Sequence, residues 1–256
     1  MRSRPETRNR LARGVLAWAL LLLWLCPVLG RAEDPAPLLD EAMARLRAAQ
    51  AAYAEVRDYT TVLHREERVR GEMKEPEVIR LKFRKPFQVY LKWIGPLHEG
   101  REVLYADGWN QNRLMAHEGG ALGFITLSLD PNGSLALKST RHPITDTGIG
   151  RLLEVVSESM DRALAAGELE ISYARPNSVY GRPTRQIEGR LPPDPQKGYY
   201  APRVVMDFDL ELQLPIRVAI YDAEDRLLER YGYEDLRLNV GLSDRDFDPS
   251  NPDYHF

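Results

Sequence analysis

Cysteine is almost absent from this chain. The single one, Cys26, lies in the amino-terminal segment, so once that segment is removed nothing remains to form a disulfide or a thiolate metal site. The five histidines, at 64, 98, 117, 142 and 255, show neither HxH nor HExxH spacing, so no metal signature is present. Neither Gly119-Gly120 nor Thr126-Leu127-Ser128-Leu129-Asp130 makes a GxSxG nucleophile elbow. Asp244, Asp246 and Asp248 alternate as calcium ligands do, but the glycine and the final glutamate of an EF-hand are missing. Beyond residue 32 no apolar run reaches the roughly 20 residues that a membrane-spanning helix needs. The expectation is a protein without cofactor or metal, and not an enzyme.

The first 32 residues differ from the rest. Arg2, Arg4, Arg8, Arg10 and Arg13 precede an uncharged run, Val15 to Leu25, and the small residues Gly30 and Ala32 follow. That is the form of a secretory signal peptide, and the apolar run is short for a membrane span. The alternative is an uncleaved anchor. Leu25, which precedes Cys26, is not the small residue that lipid attachment would need. Cleavage after Ala32 removes six arginines and one glutamate from totals of 35 basic and 38 acidic residues. It leaves 29 and 37, a net of −8, which argues against nucleic-acid binding. Residues 1–32 are read as the signal and 33–256 as one domain, periplasmic or secreted.

Most of what remains is strand. Ile79, Leu81 and Phe83 alternate with Arg80, Lys82 and Arg84, and Val89, Leu91 and Trp93 alternate with Gln88, Tyr90 and Lys92. Such period-two patterning gives each strand one buried and one wet face. Further strands are expected at 60–69, 101–106, 111–116, 122–129, 135–137, 169–174, 184–188, 204–210, 215–221 and 227–233, with a turn at Asp130-Pro131-Asn132-Gly133. Leu39, Met43, Leu46, Ala49, Tyr53 and Val56 recur at helical spacing after a linker at 33–37. Ile149, Leu152, Val156, Met160 and Leu164 mark a second helix over 148–166, with Asp146 or Thr147 as its cap and Gly167 closing it. Two helices among about ten strands predict an α+β, mainly β fold. Its antiparallel sheet curls into an open half-barrel with an N-terminal helix and a central lid helix.

Two stretches carry a resemblance. Tyr233-Glu234-Asp235-Leu236-Arg237-Leu238-Asn239 with Gly241 to Pro249 resembles the closing strand of LolA/LolB-like lipoprotein carriers and receptors. Phe83 to Trp93, followed by the Asp107-Gly108 turn, is similar to their paired strands. More closely, residues 39–256 resemble an exported bacterial family of uncharacterised function, including Arg141-His142-Pro143-Ile144 and Asn251-Pro252-Asp253-Tyr254. The resemblance implies an open β-barrel with a helical lid and an apolar cavity, and it transfers no active site.

A carrier needs a concave apolar surface with a few polar groups at its rim. The candidate ligand-binding residues are Phe83, Leu91, Trp93, Met206 and Phe208 on the sheet and Ile149, Leu152 and Val156 on the lid. Arg141 and His142 stand near the lid's amino terminus, where anions are favoured. The competing account makes these residues the packed core of a filled sandwich. That account leaves an envelope protein partner as the alternative to a lipid or apolar ligand. The basic face of Arg80, Lys82, Arg84 and Lys92 is expected to pair with Asp207, Asp209 and Glu211 across the sheet.

Overall fold

The computed structural model describes residues 35–120, 123 and 125–256. The signal-peptide and Cys26 expectations, and the start of the 122–129 strand, lie outside the described residues. Helix α1 (Pro35–Ala54) begins inside the stretch expected as a linker, because proline is tolerated in the first helical turn, where its missing N–H has no partner to lose. It buries Leu46 and Ala49 as expected, but in its first two turns Leu38 and Ala42 take the place of Leu39 and Met43. The alanines let it lie close against the sheet.

Strands β1 (Asp58–Val69), β2 (Glu72–Met73), β3 (Glu77–Arg84), β4 (Gln88–Trp93), β5 (Glu102–Ala106), β6 (Leu114–His117) and β7 (Thr126–Leu129) precede helix α2 (Ile149–Ala165). After it come β8 (Glu170–Val179), β9 (Arg182–Arg190), β10 (Arg203–Asp209), β11 (Pro215–Tyr221) and β12 (Leu227–Leu238). The sheet order is β7-β6-β5-β4-β3-β1-β12-β11-β10-β9-β8, with β2 paired to β1. Every pairing is antiparallel. β7 and β8 are free edges, so the sheet stays open. Each half is a meander of neighbours. The connection through α2 crosses from one edge of the sheet to the other.

The alternating residues of β3 and β4 bury Ile79, Leu81, Phe83, Val89, Leu91 and Trp93 on the inner face, under the helices. On the outer face a smaller cluster forms where Phe247 and Tyr254 cover Tyr90 and Leu104, and Tyr254 stacks on Tyr90 with ring centroids 3.9 Å apart. That carboxy-terminal segment also corrects the expected charge pairing. Lys82 binds Asp246 (2.8 Å), Arg84 binds Asp244 and Lys92 binds Glu102 (2.8 Å), whereas Asp207 is met by Arg217 and Asp209 by Arg182. Three strands, β1, β12 and β11, lie between β3 and β10 in the sheet order, so β3 and β10 cannot share cross-strand pairs.

Two further expectations change. The Asp130–Gly133 turn forms, with Gly133 N–H donating to the Asp130 carbonyl at 2.9 Å, but 135–137 does not return as a strand and Leu135 stays exposed. Neither Asp146 nor Thr147 caps α2. The N-cap is Gly148 at φ 114°, and the Ile149 N–H donates to the buried Tyr59 hydroxyl at 3.2 Å. A Cβ on Gly148 would stand 2.8 Å from that hydroxyl, and one on Gly150 would stand 2.5 Å from the Tyr53 hydroxyl of α1. The start of α2 is therefore pressed onto both α1 and the sheet. Gly148→Ala should cost about 2 kcal/mol or more in a urea melt, adding steric conflict to positive-φ strain. Gly167→Ala, also at positive φ but in open space, should cost about 1 kcal/mol.

Candidate functional site

The site begins with a register. β1 and β12 place Glu67 directly opposite Glu229, Arg65 opposite Tyr231 and Leu63 opposite Tyr233. All six point to the inner face, so along this seam the surface grades from apolar to charged. Glu67 and Glu229 are 4% and 2% exposed. Like charges directly across a strand pair repel, and burial makes each costlier. Other groups must offset that cost.

The loop before α2 supplies two of them, Arg141 and His142, and Tyr200 before β10 and Tyr231 on β12 supply the others. The Arg141 N–H donates to Glu67 Oε2 at 2.9 Å, and its Nε donates to Glu229 Oε2 at 3.0 Å. His142 Nε2 lies 2.8 Å from Glu229 Oε2. The Tyr200 hydroxyl donates to Glu229 Oε1 at 2.5 Å, and the Tyr231 hydroxyl donates to Glu67 Oε1 at 2.5 Å. Burial alone would raise the Glu229 pKa, but the hydrogen bond and charge of His142, then Tyr200 and Arg141, outweigh it and hold the carboxyl below its usual range. Burial alone would lower His142. The hydrogen bond and charge of Glu229 reverse that and move it up. Burial and the Glu229 charge push the Tyr200 hydroxyl far above its ordinary value.

Around this cluster the inner face is not completely filled. Beneath α2 an apolar chamber of about 80 Å³ is walled by Leu152, Val156, Met160, Met206 and Phe208 and touches α1 at Leu46. A central chamber of about 190 Å³ shares Leu152 and Tyr200 with it and reaches Leu91, His142 and Glu229. A third, of about 280 Å³, shares Leu91 and His142 with the central one and extends over Trp93 to β7, under residues 131–147. Together they follow the inner face beneath α2 and the loop that precedes it.

Of the residues singled out from sequence, Leu91, Trp93, His142, Leu152, Val156, Met206 and Phe208 line these chambers. Phe83 and Ile149 instead pack in the solid core, where Phe83 stacks on Tyr59 at 5.1 Å. Arg141 is spent on Glu229 and on the Arg68 carbonyl. Arg65, Glu67, Tyr200, Glu229 and Tyr231 went unnoticed in the sequence. Strand parity was the available signal: Arg65 and Glu67 fall in step with Leu63 and Val69, and so must face inward. Among the described residues no group of histidine, cysteine and carboxylate side chains could hold a metal ion, and no helix is long and apolar enough to cross a membrane.

The His142–Glu229 contact ties the α2 loop to the sheet with a definite pH signature. A folded-state histidine pKa raised above about 6.5 contributes stability in full below that pH, and the contribution is lost as pH rises through the folded value. The lowered Glu229 contributes above about pH 4.5, and its share is lost as pH falls through its folded value. In urea melts from pH 5 to 9, His142→Gln should lose most stability relative to wild type near pH 5 to 6. The difference should shrink towards pH 9.

No curated protein matches the chain in sequence. Solved structures similar to it include the Mycobacterium tuberculosis lipoprotein LppX, at 12% identity and a TM-score of 0.46, covering 84% of this chain and 100% of that one. MucB of Pseudomonas aeruginosa, solved in complex with MucA, is 14% identical with a TM-score of 0.46. That match covers 81% of this chain but 60% of the other, so the chain spans less than two thirds of its length. A LolA superfamily protein from Nitrosomonas europaea is 11% identical with a TM-score of 0.34, over 81% of this chain and 97% of that one. The profile of a family described as protein of unknown function, DUF1571, matches residues 56–256, and the chain belongs to that family.

Proposed function

We propose that this protein is an exported, non-catalytic carrier that binds an acyl chain or similar apolar ligand along the groove beneath α2. The observation that carries this reading is the incomplete closure between α2 and the sheet. Leu152, Val155, Val156 and Met160 form the apolar stripe of an amphipathic helix, yet each is only half-buried, and the chamber below them is walled almost wholly by apolar side chains. A helix whose role was to complete a core would bury that stripe. An apolar void of this kind stays dry and accepts apolar guests.

Each methylene buried there would contribute about 0.8 kcal/mol. A chamber of about 80 Å³ is too small for a long chain, so a ligand would enter by displacing the stripe of α2 and running on into the central chamber. α2 and the ligand would then compete for one surface. Val156→Asp should strip co-purifying lipid, assayed by solvent extraction and mass spectrometry, while lowering the urea midpoint only slightly. Leu153→Ala removes a buried contact and should cost about 2–5 kcal/mol with lipid retained at temperatures where the protein stays folded. Equal losses of lipid and stability in both variants would favour a filled core.

A second reading, an interaction module for an envelope protein, has one specific observation behind it. Edge strand β7 carries no charge or proline, and Ile125, Leu127 and Leu135 beside it are exposed. Native mass spectrometry of protein purified from its own envelope separates the two readings. A bound lipid supports the carrier, and a stoichiometric protein partner supports the module.

A further inference from the structure

The largest of the three chambers has a chemistry that the others lack. Its floor is apolar, with Leu91, Trp93, Val103 and Leu114, but its wall carries Arg65, Arg101 and Lys138 against a single carboxylate, Glu118. On a chain with a formal charge of −3, a predominantly cationic lining runs against the average. The two arginines flank the Trp93 indole, with their guanidinium carbons 5.7 Å and 5.4 Å from the ring centroid. Neither is used up by its acid partner. Glu77 takes Nε and Nη2 of Arg65, and Glu118 takes Nε of Arg101 at 2.9 Å. Among the described residues no protein acceptor meets Arg65 Nη1 or either Nη of Arg101, and the Lys138 ammonium has no hydrogen bond or ion pair.

We infer that this chamber holds the anionic head, a carboxylate or a phosphate, of an amphiphile whose chain runs through the central chamber to the apolar one beneath α2. The inference rests on the acyl-chain reading above and adds the class of head group and its polarity along the groove. The opposite end cannot take the charge, because its lining from Met206 to Leu46 has no cation to offer. The centre suits it less: Glu67, Glu229 and Asp146 would repel an anion, Arg141 and His142 are committed to the two glutamates, Arg151 is paired with Asp146 and Glu154, and Arg65 is shared with the third chamber. Spare guanidinium donors in a partly desolvated wall suit an oxyanion, since charge-assisted bonds there are stronger than bonds in water.

The test is calorimetric titration of the purified protein, delipidated under mild conditions, with four twelve-carbon amphiphiles below their micellar concentrations. They are dodecanoate, dodecyl phosphate, the uncharged dodecyldimethylamine oxide and dodecyltrimethylammonium. Both anions should bind about 10-fold or more tightly than the amine oxide, with the cation weakest. The ratio of phosphate to carboxylate affinity then assigns the head group. The double variant Arg101→Gln/Lys138→Gln should erase about 10-fold of the anion affinity while leaving amine oxide binding and the melting temperature unchanged. Arg65 is left intact because its removal would strand buried Glu77. Equal affinity for all four amphiphiles would overturn the head-group assignment and leave the acyl-chain reading standing. Absence of binding by all four would overturn both.

Discussion

The pairing of β1 with β12 is the constraint on which the rest of the structure depends. It joins the first strand of the chain to the last and turns two meanders into one sheet. Side chains reinforce the seam at its far end. Asn239 receives the Arg57 N–H at 2.7 Å and gives its own N–H to the Asp58 carbonyl at 2.7 Å, while Thr61 donates to the Glu234 carbonyl at 2.7 Å. Contacts so distant in sequence carry a large loop-closure cost, which the hydrogen-bond ladder and the apolar inner face must offset.

The same register creates a problem whose solution positions α2. With Glu67 and Glu229 opposed and buried, the seam is tolerable only when the 139–148 loop lies across it and delivers Arg141 and His142. That loop leads directly into α2. The helix start is held a second time where the Tyr59 hydroxyl receives the Ile149 N–H, at a glycine that leaves no room for a side chain. Electrostatic compensation at one end and close packing at the other thus set where α2 lies. The space left between α2 and the sheet follows from that placement.

Much of the fold was legible. Period-two alternation located β3, β4, β10, β11 and β12 closely, and the count of helices against strands required a curling, open sheet. What failed depended on partners. The outward basic residues of β3 face a carboxy-terminal segment that no local pattern could bring to them. The α2 cap was misplaced because a buried tyrosine hydroxyl 90 residues earlier does the work of a side-chain cap. The site was half legible: apolar positions such as Leu91, Leu152 and Met206 reveal themselves by periodicity, whereas Glu67, Tyr200 and Glu229 look like ordinary surface residues until their strand neighbours are known.

The sequence by itself determined which residues turn inward on each strand, that two amphipathic helices must cover them, and that residues 33–256 have no cysteine chemistry. These are local consequences of alternation and composition. Only the tertiary structure decided that the cover is incomplete and that the resulting groove is apolar at one end, acidic and satisfied in the middle, and cationic at the other. Hydrophobic patterning specifies a face but not how far the element above it stands off, and that distance is set by contacts such as Arg141 to Glu229 between residues far apart in the chain.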